Sequence, residues 1–246
     1  MDSRLVIIPT YNEKDNIREL IERINSLPIK FDILVVDDNS PDGTADIIRI
    51  GQNKHSNLHL IEREGKLGLG TAYIAGFKWA LKNGYDYIFE MDADFSHNPS
   101  DLITLYQSVN EKGVDLAIGS RYISGVNVVN WPLGRVVLSY IASVYVRFIT
   151  GLKIKDTTAG FKCYRRIVLE TIDLNKIRSK GYVFQVEMKF LTWKYGFIIL
   201  EIPIIFTNRD RGISKMSGGI FSEAIWGVIK LKWKSFFHSY KKKKAA

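Results

Sequence analysis

From Leu5 to Ile118 the chain alternates short, Val/Ile-rich apolar runs with longer segments of helical spacing, and that beat limits the folds open to it. Strands are expected at Leu5–Ile8, Asp32–Asp37, Leu58–Ile61, Tyr87–Met91 and Asp115–Ile118. Helices are expected at Asp15–Asn25, where Ile17, Leu20, Ile21 and Ile24 share one face, and at Asp42–Gly51, Thr71–Lys82 and Pro99–Asn110. The last has Ser96 or Asn98 available as a cap and Pro99 near its first turn. Successive β-α-β crossovers imply a mainly parallel, doubly wound α/β sheet.

After Arg121 the rhythm changes. A loop at Gly125–Asn130 precedes an apolar helix from about Arg135 to Ile149; then come a helix at Val183–Trp193, a strand at Phe197–Phe206, a loop at Thr207–Gly219 and a C-terminal helix. With 246 residues, 46% of them hydrophobic, and no break in composition, one compact domain is expected over 1–218, followed by an amphipathic, Lys-rich helix and tail at 219–246. The single Cys163 excludes an internal disulfide and a thiolate zinc site, and reads as a core thiol in a reducing compartment. His55, His59, His97 and His238 have no metal-binding spacing.

The Leu5–Pro9 run is too short for a signal peptide, and Val136–Thr150 and Phe197–Phe206 fall short of the about 20 residues that span a bilayer. No transmembrane helix is expected, and the chain is placed in the cytoplasm. A net charge of +9 calls for an anionic partner. Lys230, Lys232, Lys234 and Lys241 to Lys244 lie among Trp226, Trp233, Phe236 and Phe237, a pattern that suits either an interfacial anchor or a solvated tail.

Asp92-Ala93-Asp94 follows the fourth strand directly. In an extended backbone residues i and i+2 project to one side, so both carboxylates can reach one divalent ion. Pro9-Thr10-Tyr11-Asn12-Glu13 ends the first strand and Asp37-Asp38-Asn39-Ser40-Pro41-Asp42-Gly43-Thr44 the second, which brings three acidic loops to the same sheet edge, where α/β sheets bind ligands. A nucleotide there would meet the flat Tyr11 ring and the acceptors Glu13 and Asp38. Asp42 or Ser40 would also serve as plain helix caps.

These strings, with Gly119-Ser-Arg-Tyr122, Arg63-Glu-Gly-Lys-Leu-Gly-Leu-Gly-Thr-Ala-Tyr73, Thr158-Ala-Gly-Phe-Lys162, Gly181-Tyr-Val-Phe-Gln-Val-Glu-Met188, Arg209 and Gly212-Ile-Ser-Lys215, resemble glycosyltransferase family 2. Within it they look like the dolichol-phosphate (polyprenol-phosphate) mannose synthases, from Val6 to about Ser217. The resemblance implies a GT-A fold, transfer of mannose from GDP-mannose to a polyprenyl phosphate with inversion, a divalent metal (Mg2+ or Mn2+), no nucleic-acid partner, and work on the cytoplasmic face of a membrane. Small membrane partner subunits serve some relatives.

Carried over by position, Pro9, Tyr11, Glu13, Val36 and Asp38 would hold the guanosine, and Asp92, Ala93 and Asp94 the metal and diphosphate. Ser96 stands where some members have Gln as a further metal ligand, and its shorter hydroxyl leaves that place open to water. Arg209 and Lys215 would reach the donor phosphates, with Ser214 beside them, and Arg121 and Arg135 the acceptor phosphate. Catalysis would rest on Asp94, Arg121 and Arg135. Arg211, Glu187 and Asp156 receive no role. A phosphate acceptor is already ionised at neutral pH, so no general base is expected.

Other readings compete at this stage. Transfer of glucose or another hexose from a UDP- or GDP-sugar would need nearly the same residues. Gly68-Leu69-Gly70-Thr71-Ala72 imitates a dinucleotide fingerprint, although after the third strand rather than the first. A non-enzymatic basic module that binds membrane or nucleic acid would explain the charge but not the acidic loops. The amphipathic helices after Gly134 and at the C-terminus suit a membrane surface, and would equally pack on the sheet.

Overall fold

The computed structural model describes residues 2–179, 181–208 and 220–242. Its frame is a sheet of β1 (Arg4–Thr10), β2 (Asp32–Asp37), β3 (Leu58–Glu62), β4 (Tyr87–Glu90), β5 (Leu116–Ser120), β7 (Lys162–Arg165) and β8 (Ile199–Pro203). The strand order is β3-β2-β1-β4-β7-β5-β8, and β6 (Val128–Val129) pairs with β9 (Phe206–Thr207) beside it. The helices are α1 (Lys14–Asn25), α2 (Thr44–Gln52), α3 (Leu69–Lys82), α4 (Asp101–Glu111), α5 (Leu133–Thr150), α6 (Arg166–Thr171), α7 (Gly181–Lys194) and α8 (Ile220–Phe236).

Alternation along the strands builds two cores. Leu5, Ile7, Leu34 and Val36 face one side with Tyr73 and Phe77 of α3 and Phe184 of α7. Val6, Ile8, Ile33 and Val35 face the other with Ile17 and Leu20 of α1 and Leu102 of α4. Because both faces are covered, these strands read as continuous apolar runs. Cys163 lies in the second core, where burial pushes its thiol well above the ordinary range.

The sheet is parallel except at β7, which runs antiparallel between β4 and β5. The sequence reading has no strand there. Lys162 opposes Glu90 in register and, although fully buried, pairs with it at 3.0 Å, so a charge occupies the position where an apolar residue would have signalled a strand. The expected strand Phe197–Phe206 divides into β8, which pairs with β5, and β9, which pairs with β6.

α5 is also longer than expected. At 18 residues and mean hydropathy 1.3 it is long and apolar enough, by length and composition, to cross a membrane, which corrects the expectation that no such segment exists. α8 packs on α5 and α7: Tyr145 Oη donates to the Ile225 carbonyl at 3.1 Å, and a Cβ on Gly227 would lie 2.9 Å from Val183 Cγ1. Val228 and Leu231 of α8 enter the first core.

Candidate active site

The carboxyl ends of β1, β2 and β4 open into a cleft of about 560 Å3. Each of the three loops turns through a non-glycine residue in the left-handed region: Asn12 (φ 56°), Asn39 (φ 57°) and Phe95 (φ 59°). Such backbone costs free energy and persists where the surroundings hold it. Hydrogen bonds tie the first two of these loops together. Asn12 N–H donates to Ser40 Oγ (3.0 Å), Glu13 N–H to Thr44 Oγ1 (3.0 Å) and Lys14 N–H to Asp42 Oδ2 (3.1 Å).

The adjacent pair Asp37 and Asp38 divides into two tasks. Asp37 is fully buried and accepts from Thr10 Oγ1 (2.7 Å), Ser40 Oγ (2.6 Å) and Ser40 N–H (2.8 Å), so it shapes the loops. Asp38 lines the cleft, and Arg63 Nε donates to its Oδ1 at 2.6 Å. Arg63 is itself held by Thr71 Oγ1 and the Gly68 carbonyl. Gly68 at the start of α3 therefore serves this clamp while Gly70 packs closely on Phe184, and β3 before them is an edge strand, away from the switch point a dinucleotide would need. Lys66 lies over the Tyr11 ring, 4.8 Å from its centroid.

Asp92, Ala93, Asp94, Ser96 and His97 line the middle of the cleft. Tyr73 Oη donates to Asp92 Oδ1 at 3.4 Å, and Ser96 N–H to Asp94 Oδ1 at 3.1 Å. His97 stacks on Phe161, accepts from the Asp92 N–H on Nδ1 at 3.4 Å, and is pushed down to about 4 by burial. It is a neutral wall of the site, a place its spacing did not disclose. Below the turn, the Glu90 carboxylate takes bonds from Tyr164 Oη (2.9 Å) and Gln185 Nε2 (3.0 Å) as well as Lys162. Burial lowers the Lys162 ammonium against the pull of Glu90.

The far end of the cleft carries two unlike arginines. Arg121 is buried and bidentate to Asp156, with Nε to Oδ2 at 2.7 Å and Nη2 to Oδ1 at 2.6 Å. Burial opposes both charges, and their contact outweighs it, holding Asp156 below and Arg121 above the usual values. Arg135 instead lies over Trp131, 4.0 Å from the ring centroid, and donates to Asn208 Oδ1 at 3.0 Å; among the described residues no carboxylate pairs with it. At these arginines the cleft meets an apolar groove of about 280 Å3 between α5, α7 and α8, with Arg121, Trp131, Arg135, Thr158 and Tyr182 lining both.

Of the expected site residues, Pro9, Tyr11, Glu13, Asp38, Asp92, Ala93, Asp94, Ser96, Arg121 and Arg135 line the cleft. Val36 does not: its side chain is fully buried in the first core, as strand alternation requires. Arg209, Arg211, Ser214 and Lys215 lie outside the described residues. Glu187 stands apart from the cleft on α7, its Oε2 buried and without a hydrogen-bond partner among the described residues.

Residues 5–173 match the family described as Glycosyl transferase family 2. The chain belongs to that family. This family 2 glycosyltransferase is 47% identical over 230 residues to the polyprenol monophosphomannose synthase of Mycolicibacterium smegmatis, covering 91% of this chain and 86% of that protein. It is 47% identical over 226 residues to the undecaprenyl-phosphate mannosyltransferase of Micrococcus luteus, covering 92% of each. Among solved structures it resembles glucosyl-3-phosphoglycerate synthase of Mycobacterium tuberculosis, crystallised with Mn2+, uridine diphosphate and glucosyl-3-phosphoglycerate, at TM-score 0.67 and 16% identity over 95% of this chain and 79% of that one. That likeness establishes the GT-A fold. The dehydrogenase and non-enzymatic readings fall with the family assignment.

Sequence reasoning also passed over Trp131, Thr158, Tyr182 and Asn208 as cleft residues. Thr158 and Tyr182 stood inside recognised strings, which marked them without saying what they touch.

Proposed function

We propose that the protein transfers mannose from GDP-mannose to a polyprenyl phosphate, releasing GDP, with a divalent metal and inversion at the anomeric carbon. One observation carries the reading: a polar cleft floored by carboxylates runs, at two arginines, into an apolar groove. That junction fits an acceptor with an anionic head and a long apolar tail. The names of the relatives from M. smegmatis and M. luteus point to the same acceptor and sugar.

In this reading Tyr11 stacks on the guanine, Glu13 and Asp38 accept hydrogen bonds from the nucleoside, and Asp92 and Asp94 hold metal and diphosphate. The donor set fits Mg2+ or Mn2+. Among the described residues no group of three or more His, Cys, Asp or Glu could hold a metal, and these hard cations commonly take one or two carboxylates and complete their shell with substrate phosphate and water. When bound, such an ion neutralises the diphosphate and helps GDP leave. The Ser96 N–H braces Asp94, which suits a supporting role with water at the third position. Arg209, Ser214 and Lys215 complete the phosphate contacts.

The acceptor phosphate, with a second pKa near about 6, needs no base. One of its oxygens forms the new bond to the anomeric carbon as the bond to the GDP oxygen breaks, and a single displacement inverts that centre. Repulsion between two anions is the larger obstacle, which the charge of Arg135 reduces while Arg121 offers the phosphate an N–H. Neutral His97, its Nδ1 engaged by backbone, and Glu187, outside the cleft, are not placed as bases.

The groove opens between α5 and α8, whose outward faces are apolar: Leu133, Ile141 and Phe148 on one, Trp226, Trp233 and Phe236 on the other. With exposed Lys230 and Lys234 beside them, these faces suit an anionic membrane surface, taken here as the cytoplasmic one. Purified protein offered polyprenyl phosphate, Mg2+ or Mn2+ and a panel of nucleotide sugars should form a mannosyl phospholipid from GDP-mannose, with anomeric configuration opposite to the donor's. Product from UDP-glucose instead would move the proposal to another sugar. No lipid product from any donor would overturn it.

A further inference from the structure

Arg121 lines the cleft, yet the carboxylate that grips it, Asp156, lies behind the cleft. Its Nε and Nη2 are committed to Asp156, Nη2 also donates to Thr158 Oγ1 at 2.8 Å, and its backbone N–H donates to Asp156 Oδ2 at 2.9 Å. Tyr122, Trp131 and Phe206 surround the guanidinium, with ring centroids 5.2, 5.5 and 5.5 Å from Cζ. Among the described residues only the Nη1 group is left without a hydrogen-bond acceptor. A guanidinium already balanced by a buried carboxylate contributes little net charge to an incoming phosphate, whereas a fixed N–H direction is available to it at once.

The carboxylate is in turn held from outside the site. Glu201 of β8 lines neither the cleft nor the groove, yet its Oε1 accepts from the Asp156 N–H (2.8 Å) and Ser120 Oγ (2.7 Å), and its Oε2 from the Lys155 N–H (2.7 Å). One side chain thus ties down the residue before Arg121 and the residue that grips it. Lys189, fully buried, closes the other end of the loop by donating to the carbonyls of Thr157 (3.0 Å) and Ala159 (2.5 Å).

We infer that Asp156 and Glu201 are positioning residues for the transfer: they aim Arg121 Nη1 at the acceptor phosphate, while Arg135 supplies the unbalanced positive charge. The inference rests on the proposed reading of Arg121 as an acceptor-phosphate ligand. It gives a role to Asp156 and Glu201, neither of which touches a substrate in that reading.

The test uses the full chain with GDP-mannose, polyprenyl phosphate and metal, comparing Arg121→Ala, Asp156→Asn, Glu201→Gln and the double variant Arg121→Ala/Asp156→Asn. Asp156→Asn is expected to lower kcat/KM for the acceptor roughly tenfold or more, and Glu201→Gln about threefold, with the donor KM within about twofold of the parent. The double variant should be no worse than Arg121→Ala alone, since positioning has no effect once its object is gone. Full additivity would overturn the inference, as would unchanged acceptor kinetics in Glu201→Gln and Asp156→Asn while Arg121→Ala raises the acceptor KM. If Arg121→Ala itself leaves the acceptor parameters unchanged, the reading of Arg121 fails and the inference with it. Should Asp156→Asn fail to fold, Glu201→Gln decides alone.

Discussion

Neighbouring side chains of one type do different work here, and the difference lies in their partners. Asp37 is consumed by loop hydrogen bonds while Asp38 faces the cleft; Arg121 is paired with a carboxylate while Arg135, among the described residues, is not. Asp94 lines the cleft, and its proposed place at the diphosphate predicts that Asp94→Ala lowers kcat by about 100-fold or more, as steady-state kinetics would show. Arg135→Ala should raise the acceptor KM by about tenfold and spare the donor KM, which initial rates with each substrate varied in turn will read. Glu187 offers the opposite case. Burial raises its carboxyl above the ordinary range, so the fold favours the protonated form. The stability from that form is present below the unfolded pKa, about 4.3, and is lost as pH rises through the higher folded value. Glu187→Gln should therefore raise the melting temperature at pH 7, with the gain fading toward pH 4, and should retain transferase activity. Loss of transfer in a folded Glu187→Gln protein would refute the base-free mechanism.

At the scale of elements, α5 and α8 are each divided lengthwise. On α8, Val228, Leu231 and Ser235 turn inward while Trp226 (69% exposed), Trp233 (65%) and Phe236 (70%) stand out; on α5, Ser143, Val146 and Thr150 turn inward while Phe148 is 85% exposed. Of the two readings open from sequence, packing on the fold accounts for the inward faces, and the exposed apolar faces opposite are the ones proposed to meet a membrane. Trp226→Ser with Trp233→Ser should abolish flotation with liposomes containing anionic lipid and leave the thermal melt unchanged, because neither side chain is buried. Unchanged flotation would remove α8 as an anchor. The elements read correctly, β1 to β5, α1 to α5 and α7, are those that apolar runs or periods marked out in the sequence. β7 was missed because its first residue is a buried lysine, satisfied by Glu90 on the neighbouring strand.

Across the whole molecule, the site is a product of topology. Parallel β1, β2 and β4 bring their carboxyl ends to one edge, and the antiparallel insertion of β7 between β4 and β5 joins that half of the sheet to the loop at residues 155–159 that grips Arg121. Sequence by itself determined the β/α order, the acidic strand-end loops and the family, since periodicity and local strings are properties of neighbouring residues. Tertiary structure alone decided that Val36 is core, that His97 is cleft wall, that Asp156 and Glu201 stand behind Arg121, and that an apolar groove begins where the cleft ends. Each of these depends on contacts between distant segments, and a side chain's charge, exposure and direction are set by the partners such contacts provide.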